Sequence, residues 1–166
     1  MVTGPASAWD VAAATPDPEL PQLTVAELGI LRSVEHAGNT VIVTITPTYS
    51  GCPAIREITA DLRHRLAAGG FARVEVRTQL APPWSSDWIS AAGRRKLAQA
   101  GIAGPHPAPR RHGPTPLTLL PARRAVQCPR CGSARTVRTA DFGATACKAL
   151  YRCDECREPF EYVKEI

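Results

Sequence analysis

The chain lacks several features that would place a protein in a class at once. Its apolar runs are short, far below the roughly 20 residues that a membrane helix needs. Its N-terminus has no basic start followed by a long apolar stretch, as a secretion signal would have. We therefore expect no membrane partner and a cytoplasmic protein whose cysteines stay reduced.

Motifs for common catalytic cofactors are also missing. The sequence contains neither G-x-x-x-x-G-K-[ST] nor G-x-G-x-x-G, the loops that bind nucleotide phosphates. It has no Glu-x-x-His pair of the kind that binds iron in di-iron helix bundles. No catalytic base is evident beside Cys52, the cysteine nearest the N-terminus. These absences predict that the chain is not an enzyme by itself.

The distribution of charge and the low aromatic content limit the classes of partner that the chain could bind. Residues 1–104 contain nine Arg and Lys against nine Asp and Glu, whereas residues 105–166 contain eleven against six, so the net charge of +5 lies in the C-terminal part. A basic module is compatible with an acidic protein or with nucleic acid. Aromatic residues are only 5% of the chain, which is too few for stacking on bases. We expect a nucleic-acid partner to be the weaker alternative.

Cysteine and proline usage divides the chain into three segments. One cysteine precedes residue 104 and five follow it, and six prolines lie between residues 105 and 121. Such proline density is incompatible with helices and sheet ladders and gives an extended spacer. We predict an α/β domain at 1–104, a Pro/Arg-rich linker at 105–125 and a zinc-ribbon module at 126–166.

The hydrophobic pattern of the first domain predicts alternating helices and strands. A helix is expected from Pro53 to Gly69, where apolar residues recur at helical spacing (Ile55, Ile58, Leu62, Leu66). The other expected elements are a short helix in "AWDVAAA", a hairpin of "VAELGILRSV" and "TVIVTIT", a strand in "ARVEVRTQL" with Val74, Val76 and Thr78 inward, and short helices after "PPW". This order predicts an α+β fold, a small α/β sandwich on a three- or four-stranded mixed sheet.

Four cysteines have the spacing of a zinc ribbon. Cys128 and Cys131 form one C-x2-C pair, and Cys153 and Cys156 form a second pair after 21 intervening residues. Two such knuckles complete a tetrahedral zinc site, and four thiolates leave no open position for water. We therefore predict a structural zinc ion. Three β-leaning stretches around the knuckles predict a three-stranded ribbon.

Two further cysteines allow more than one interpretation. Cys147 gives C-x5-C-x2-C with the second knuckle, close to a plant-type iron–sulfur spacing but not matching it. A buried thiol on a ribbon strand is the favoured interpretation, and redox sensing or a transient metal contact is the alternative. If a helix begins at Pro53, Cys52 lies at its N-cap, where the helix dipole would lower the thiol pKa for reaction or ligation. The alternative is a small cysteine buried at a tight turn.

Two tryptophans near the end of the first domain also have two interpretations. Trp84 and Trp88 lie in "PPWSSDWIS". They are expected to hold the last helices against the core, with a partner-binding patch as the alternative.

Four stretches together resemble one known family. "DPELPQLTVAELGIL", "TPTYSGCPA", "PPWSSDWISAAGRRKLAQAGIAGP" and "FGATACKALYRC" resemble the phenylacetate-degradation PaaD/PaaJ family, whose members are subunits of the phenylacetyl-CoA 1,2-epoxidase system. The N-terminal part is similar to the MIP18-like (DUF59) iron–sulfur assembly family. The resemblance runs from about residue 17 to the C-terminus, with a longer Pro/Arg-rich spacer than the family pattern leads us to expect.

The resemblance implies an accessory role in phenylacetate catabolism. It implies assembly of an iron–sulfur cluster or iron in an oxygenase component, with the iron–sulfur/flavin reductase or the di-iron subunit as partner. The family's motif cysteine is Cys52, a ligand for transient iron or cluster, in a loop supported by Thr46, Thr48 and Gly51. Cys128, Cys131, Cys153 and Cys156 would bind zinc, with Cys147 as a possible extra thiolate. The alternatives are a structural subunit of the epoxidase and, less favoured, a nucleic-acid-binding zinc ribbon.

Overall fold

A computed structural model describes residues 6–107 and 125–165, which divide into two compact units between Lys96 and Leu97. The first unit contains the predicted order of helices and strands, and the last helix spans the division. In chain order the elements are α1 (Ala8–Ala13), β1 (Leu31–Ala37), β2 (Thr40–Ile45), α2 (Ala54–Ala68), β3 (Arg73–Thr78), a 3-10 turn (Ser86–Trp88) and α3 (Ala91–Gln99), followed by the ribbon strands β4 (Thr136–Ala140), β5 (Lys148–Cys153) and β6 (Pro159–Val163).

The first unit is built on the mixed sheet that the sequence predicts. Its strand order is β1-β2-β3, with β1 antiparallel and β3 parallel to the central β2. The hairpin between β1 and β2 turns at Gly38 and Asn39, and Gly38 has a φ of +59°. Two-residue hairpin turns need a positive φ at their first position, which glycine adopts without strain. The connection from β2 to β3 contains α2, so the strand-to-helix corner before α2 is part of a parallel crossover.

Helix α2 packs on the core as its apolar spacing predicts. Ile58, Leu62 and Leu66 are buried, as are Val43 and Ile45 of the central strand. Ile55 is only half-buried. The helix begins at Ala54, one residue later than predicted, and Pro53 occupies the N-cap position. The amphipathic pattern and the fold class are therefore confirmed, and the predicted helix start is wrong by one residue.

Two details of the predicted strands are wrong. Residues 25–30 do not continue β1 but form a hydrogen-bonded turn, in which the amide of Thr24 donates to Glu27 Oε2 (3.0 Å) and the amide of Glu27 donates to Thr24 Oγ1 (3.2 Å). This reciprocal pair is a capping box, which favours a helical turn over a strand. Thr78, predicted to face inward, is exposed because it ends β3, whereas Val74 and Val76 are half-buried.

The second unit contains the predicted three-stranded ribbon. Its strand order is β4-β5-β6, and both pairs are antiparallel. The hydrophobic core is small and includes two of the cysteines, together with aromatic and small apolar side chains (Ala103, Val126, Cys128, Ala149, Cys153, Phe160, Tyr162). Half-buried Tyr151 packs against this core and stacks on Phe160, with ring centroids 5.8 Å apart.

The segment ahead of the proline-rich stretch belongs to the ribbon unit. Residues 97–107 and 125–165 both lie in the second unit, on either side of the stretch. Residues 108–124, most of the predicted linker, lie outside the described residues, and the predicted boundaries at 104 and 126 stay a prediction. Within the described residues, no helix is long and apolar enough to cross a membrane.

Candidate metal centres

The four ribbon cysteines converge on one point. The Sγ atoms of Cys128, Cys131, Cys153 and Cys156 all lie within 4.8 Å of one another. Two Sγ–Sγ distances across the knuckles are 3.7 Å, between Cys128 and Cys156, and 3.6 Å, between Cys131 and Cys153. Zinc–sulfur bonds of about 2.3 Å in a tetrahedron place the sulfurs about 3.8 Å apart. The sulfur positions therefore fit a tetrahedral zinc ion.

Both knuckles use the same backbone geometry. The residue after the second cysteine of each pair has a positive φ, +74° at Gly132 and +65° at Arg157. In the first knuckle, the amide of Gly132 donates to the carbonyl of Cys128 (2.9 Å). Glycine adopts this conformation without strain, whereas it costs a residue with a Cβ about 1–2 kcal/mol. The second knuckle therefore adopts this conformation at Arg157 without a glycine.

Backbone amides and neighbouring thiols move the pKa values of Cys153 and Cys156 in opposite directions. The amide of Cys156, with that of Glu155, lowers the pKa of Cys153 to about 7. The amide of Glu158 lowers the pKa of Cys156, but desolvation and the neighbouring thiols outweigh it and raise that pKa to about 12. The sulfurs therefore cannot all ionise together without a cation among them. A divalent soft-ligand metal removes this repulsion, as expected for a structural zinc site.

Cys147 lies outside this cluster. It is half-buried, one residue before β5, and its Sγ is 3.1 Å from the hydroxyl of Thr145. Its carbonyl accepts a hydrogen bond from the amide of Lys164 (2.9 Å). The predicted position, a buried thiol on a strand, is thus wrong by one residue and in its degree of burial. Its role as an extra thiolate stays a prediction.

Cys52 lies in the loop between β2 and α2. It is half-buried, and it precedes Pro53, which makes no side-chain hydrogen bond as the N-cap of α2. The amide of Cys52 donates to the carbonyl of Tyr49 (3.1 Å), and its own carbonyl faces the amide of Ile55 (3.4 Å). The prediction that Cys52 is the N-cap is therefore wrong by one residue, because Pro53 is the N-cap and Cys52 directly precedes it.

The residues predicted to support this loop differ in their surroundings. Thr46 is buried, and its amide donates to the carbonyl of Ile30 (2.9 Å). The hydroxyls of Thr46 and Thr48 are buried without a hydrogen-bond partner in the described part of the chain. Gly51 is exposed, and a Cβ there would make only ordinary contact with the Tyr49 ring (3.7 Å). The loop therefore contains two orphaned hydroxyls, which in native proteins call for a water or ligand partner.

The segment with Trp84 and Trp88, which we call the tryptophan motif, packs against the turn at residues 24–30, and we call this set of contacts the clamp. Trp84 is buried, and its indole Nε1 donates to the carbonyl of Leu28 (2.9 Å). Gly29 has a φ of +73°, and a Cβ on it would lie 2.5 Å from Trp88 Cβ. The guanidinium of Arg32 lies 3.7 Å from the centroid of the Trp88 ring. These contacts favour the expected packing role of the tryptophans over a partner-binding patch, and the element they pack against is the turn at residues 24–30.

An ion pair completes the clamp. Lys96 Nζ lies 2.7 Å from Glu27 Oε1, and the amide of Ser90 donates to the carbonyl of Glu27 (2.8 Å). Sequence reasoning missed Gly29, Glu27 and Lys96, because the contacts join residues about 60 positions apart. Only the T-x-x-E spacing of Thr24 and Glu27 was a readable local signal.

The charge of the ribbon differs from the expectation of a basic docking module. Residues 126–166 contain seven Arg and Lys against six Asp and Glu. The other four positive charges of the C-terminal part are arginines of the proline-rich stretch (Arg110, Arg111, Arg123, Arg124). The ribbon is thus nearly neutral, which further weakens its interpretation as a nucleic-acid-binding module.

Comparisons with known proteins cover both parts of the chain. A family model described as an iron–sulfur cluster assembly protein matches residues 13–77, and a PaaD zinc beta ribbon domain model matches residues 112–164. A protein of Escherichia coli named as a putative subunit of 1,2-phenylacetyl-CoA epoxidase is 43% identical over 158 residues, which are 95% of this chain and 91% of that protein.

One solved structure supports the fold of the first unit. The crystal structure of a domain of unknown function, DUF59, from Bacillus anthracis superposes with a TM-score of 0.51 and 28% identity, covering 54% of this chain and 87% of that one. With the zinc-ribbon geometry and the relative in Escherichia coli, this assigns the whole chain: it belongs to the PaaD family of phenylacetyl-CoA epoxidase subunits, in which an iron–sulfur assembly domain precedes a zinc ribbon.

Proposed function

We propose that the protein is a non-catalytic accessory component of the phenylacetyl-CoA epoxidase system in phenylacetate catabolism. Its task would be to deliver iron or an iron–sulfur cluster to an oxygenase component, either the iron–sulfur/flavin reductase or the di-iron subunit. The observation that carries this proposal is the position of Cys52. It is a half-buried thiol in the β2–α2 loop, inside the segment that the iron–sulfur assembly model matches.

The surroundings of Cys52 suit a cargo that is held briefly. Among the described residues, the four ribbon cysteines are the only group of three or more metal-ligating side chains. Iron or a cluster at Cys52 therefore takes most of its ligands from elsewhere, from a client or a second copy of the chain. Thiolates are the soft ligands that such cargo prefers. A cargo with fewer than three ligands from this chain can leave by ligand exchange.

The loop also offers hydrogen bonds to such a cargo. The hydroxyls of Thr46 and Thr48 are buried and lack partners in the described structure. Hydroxyl donors strengthen the binding of anionic ligands such as sulfide or thiolate, since a hydrogen bond to a charged acceptor is stronger than one to a neutral acceptor. This arrangement supports a role for Thr46 and Thr48 beside Cys52.

Zinc has a separate, structural role in this proposal. The ribbon sulfurs form a closed set of four, and the sulfur spacing fits a single tetrahedral ion. When bound, zinc supplies folding energy to the ribbon and no reactive position. The ribbon is then a surface for recognition of the client.

The test is the metal content of anaerobically purified and reconstituted protein. Cys52→Ser is compared with wild type, and Cys147→Ser is the matched control, because Cys147 is also a half-buried thiol outside the zinc cluster. We expect about one zinc per chain in all three proteins, with iron and sulfide lost only in Cys52→Ser. Equal iron in wild type and Cys52→Ser, or none in either after reconstitution, contradicts cargo binding at Cys52.

A permanent structural subunit is the second candidate. The relative in Escherichia coli carries the name of a subunit of the epoxidase, which favours stable assembly over transient contact. Under this alternative, tagged protein co-purifies with the oxygenase subunits in a fixed ratio and Cys52→Ser leaves that ratio and the oxygenase's iron content unchanged. Under the delivery proposal, the oxygenase component from cells with Cys52→Ser is assembled but deficient in iron.

A further inference from the structure

A short segment ahead of the proline-rich stretch pairs with the zinc ribbon. The amide of Ala103 donates to the carbonyl of Glu161 (2.8 Å), and the amide of Val163 donates to the carbonyl of Ala103 (3.0 Å). This is a parallel bridge between Ala103 and Tyr162, along the edge of β6 that β5 leaves open. Residues 101–106, which we call the strap, are thus joined to the edge of the ribbon sheet by one isolated β-bridge.

The strap shares the core that holds the zinc ligands. Ala103 is 7% exposed and belongs to the same hydrophobic cluster as Cys128, Cys153 and Tyr162. Next along the strap, the His106 ring lies against Tyr162, with centroids 6.4 Å apart. Tyr162 is itself only 5% exposed within that cluster. The strap and the four-cysteine group therefore pack against the same few buried side chains.

The local sequence directs the chain into this position. Gly101 has a φ of +73°, and its amide donates to the carbonyl of Ala98 (3.0 Å). The amide of Ile102 donates to the carbonyl of Leu97 (2.9 Å). These bonds form a glycine-terminated helix end of the Schellman type. Helix α3 therefore stops where the strap begins, and the chain continues in an extended conformation that can pair with β6.

From this geometry we propose that the strap is an integral part of the zinc module, so that zinc binding and strap docking stabilise each other. In a module with so small a core, metal-binding energy is folding energy. Coupling between two binding events is reciprocal by thermodynamic necessity. The zinc module thus begins before residue 112, where the match to the ribbon model starts. The proposal does not depend on any function of Cys52.

The test compares two substitutions at Ala103 in the full-length chain. Ala103→Pro removes the amide that donates to Glu161, whereas Ala103→Ser keeps the amide and the small size. We expect Ala103→Pro to weaken zinc affinity about tenfold, the effect of one lost hydrogen bond plus an orphaned buried carbonyl. Ala103→Ser should stay within about twofold of wild type, measured by competition with a chromophoric zinc chelator. Equal affinities of the two variants would overturn the proposal.

A measurement on the wild-type chain tests the reciprocal effect without any variant. Hydrogen exchange is followed at the amides of Ala103 and Val163, with zinc bound and after removal by a chelator. We expect both amides to be protected with zinc and to lose most of that protection without it. Protection of the Ala103 amide that is independent of zinc would contradict the coupling, even if Ala103→Pro failed to fold.

Discussion

The two thiol sites of this chain differ in how many sulfurs meet and in what holds them. In the ribbon, four sulfurs converge within 4.8 Å, and Cys128 and Cys153 are buried. In the first unit, Cys52 is half-buried at a strand-to-helix corner and belongs to no such group in the described residues. A closed set of thiolates retains its metal, whereas a single thiolate holds a ligand that can be exchanged. Under the delivery proposal, one chain would hold a permanent metal and present a transient one.

The two regions also differ in what makes them fold. The hydrophobic cluster of the ribbon unit contains seven buried residues, two of which are cysteines of the four-cysteine group, so a bound metal would supply much of its stability. The first unit has a helix on a mixed sheet and a clamp between residues 24–30 and the tryptophan motif. Its stability rests on packing and hydrogen bonds. The loop of Cys52 is therefore supported without any metal.

The largest expected effect is the loss of zinc from Cys153→Ser. Cys153 is fully buried, and structural zinc sites contribute roughly 10–16 kcal/mol of apparent binding energy. We expect zinc to fall from about one per chain to nearly none, with loss of amide protection in β4–β6 and retention in β1–β3. Zinc analysis with hydrogen exchange checks both parts. Simultaneous loss of protection in β1–β3 would show that the two units do not fold separately.

A large effect confined to the first unit is expected from Gly29→Ala. A Cβ at Gly29 would lie 2.5 Å from Trp88 Cβ and 2.8 Å from the Trp88 carbonyl oxygen, at a positive φ. Strain and overpacking together predict a loss of roughly 2–5 kcal/mol of unfolding free energy, with zinc content unchanged.

The matched control for this clamp is Gly38→Ala. Gly38 also has a positive φ, but nothing lies within 4 Å of its added Cβ, so only the conformational cost of about 1–2 kcal/mol applies. Denaturant unfolding of the two variants separates packing from backbone strain. Equal losses would mean that contact with Trp88 is unimportant.

As the pH falls, we expect the ribbon to release its zinc before the first unit loses stability. Zinc competes with protons for the thiols, so zinc is released as the pH falls. In the first unit, desolvation alone would raise the pKa of Glu27, but the Lys96 ammonium and the Thr24 amide outweigh it and lower that pKa. A depressed folded-state pKa gives stability that is present above the unfolded value and lost as pH falls through the folded value.

The acid prediction is checked with Glu27→Gln. Wild type should lose unfolding free energy as the pH falls below about 5, where an unpaired glutamate begins to protonate, and the variant should show a flatter dependence there. Zinc release should occur at higher pH and to the same extent in both proteins. Identical acid dependence in the first unit of the two proteins would mean that the clamp ion pair does not contribute to stability.

The smallest effect is expected in the first zinc knuckle. Gly132→Ala meets no atom within 4 Å but forces a side chain into a φ of +74°, which costs about 1 kcal/mol. Gly104→Ala also meets nothing within 4 Å and has no positive φ, so it should be nearly neutral. A zinc competition assay should show a several-fold loss only for Gly132→Ala. Equal behaviour would mean that the backbone conformation of the knuckle does not limit zinc binding.

Local patterns predicted most of the fold and all four ribbon ligands. The C-x2-C spacings, the helical recurrence of Ile58, Leu62 and Leu66, and the alternation of Val74 and Val76 are all short-range signals, and the structure confirms them. The error at residues 25–30 arose because buried apolar residues there resemble a strand. The capping box of Thr24 and Glu27 was the competing signal and determined the structure.

The short sequence patterns could not predict contacts between residues that are far apart in the chain. Nothing in the sequence around Ala103 indicates that it pairs with Tyr162. So short a segment has no hydrophobic pattern that identifies its pairing partner. Likewise, the steric need for glycine at position 29 comes from Trp88, about 60 residues away. Cys52 could be placed near a helix start, but its function rests on the comparisons and on the proposal above.

The most direct test of the two-site account measures release of iron and zinc from one sample. Anaerobically reconstituted wild-type protein is treated with a moderate-affinity chelator, and both metals are followed over time beside Cys52→Ser. We predict that wild type loses its iron early and keeps its zinc, while Cys52→Ser holds zinc alone. Release of iron and zinc together, or iron that persists in Cys52→Ser, would place the iron in the ribbon and contradict the two-site account.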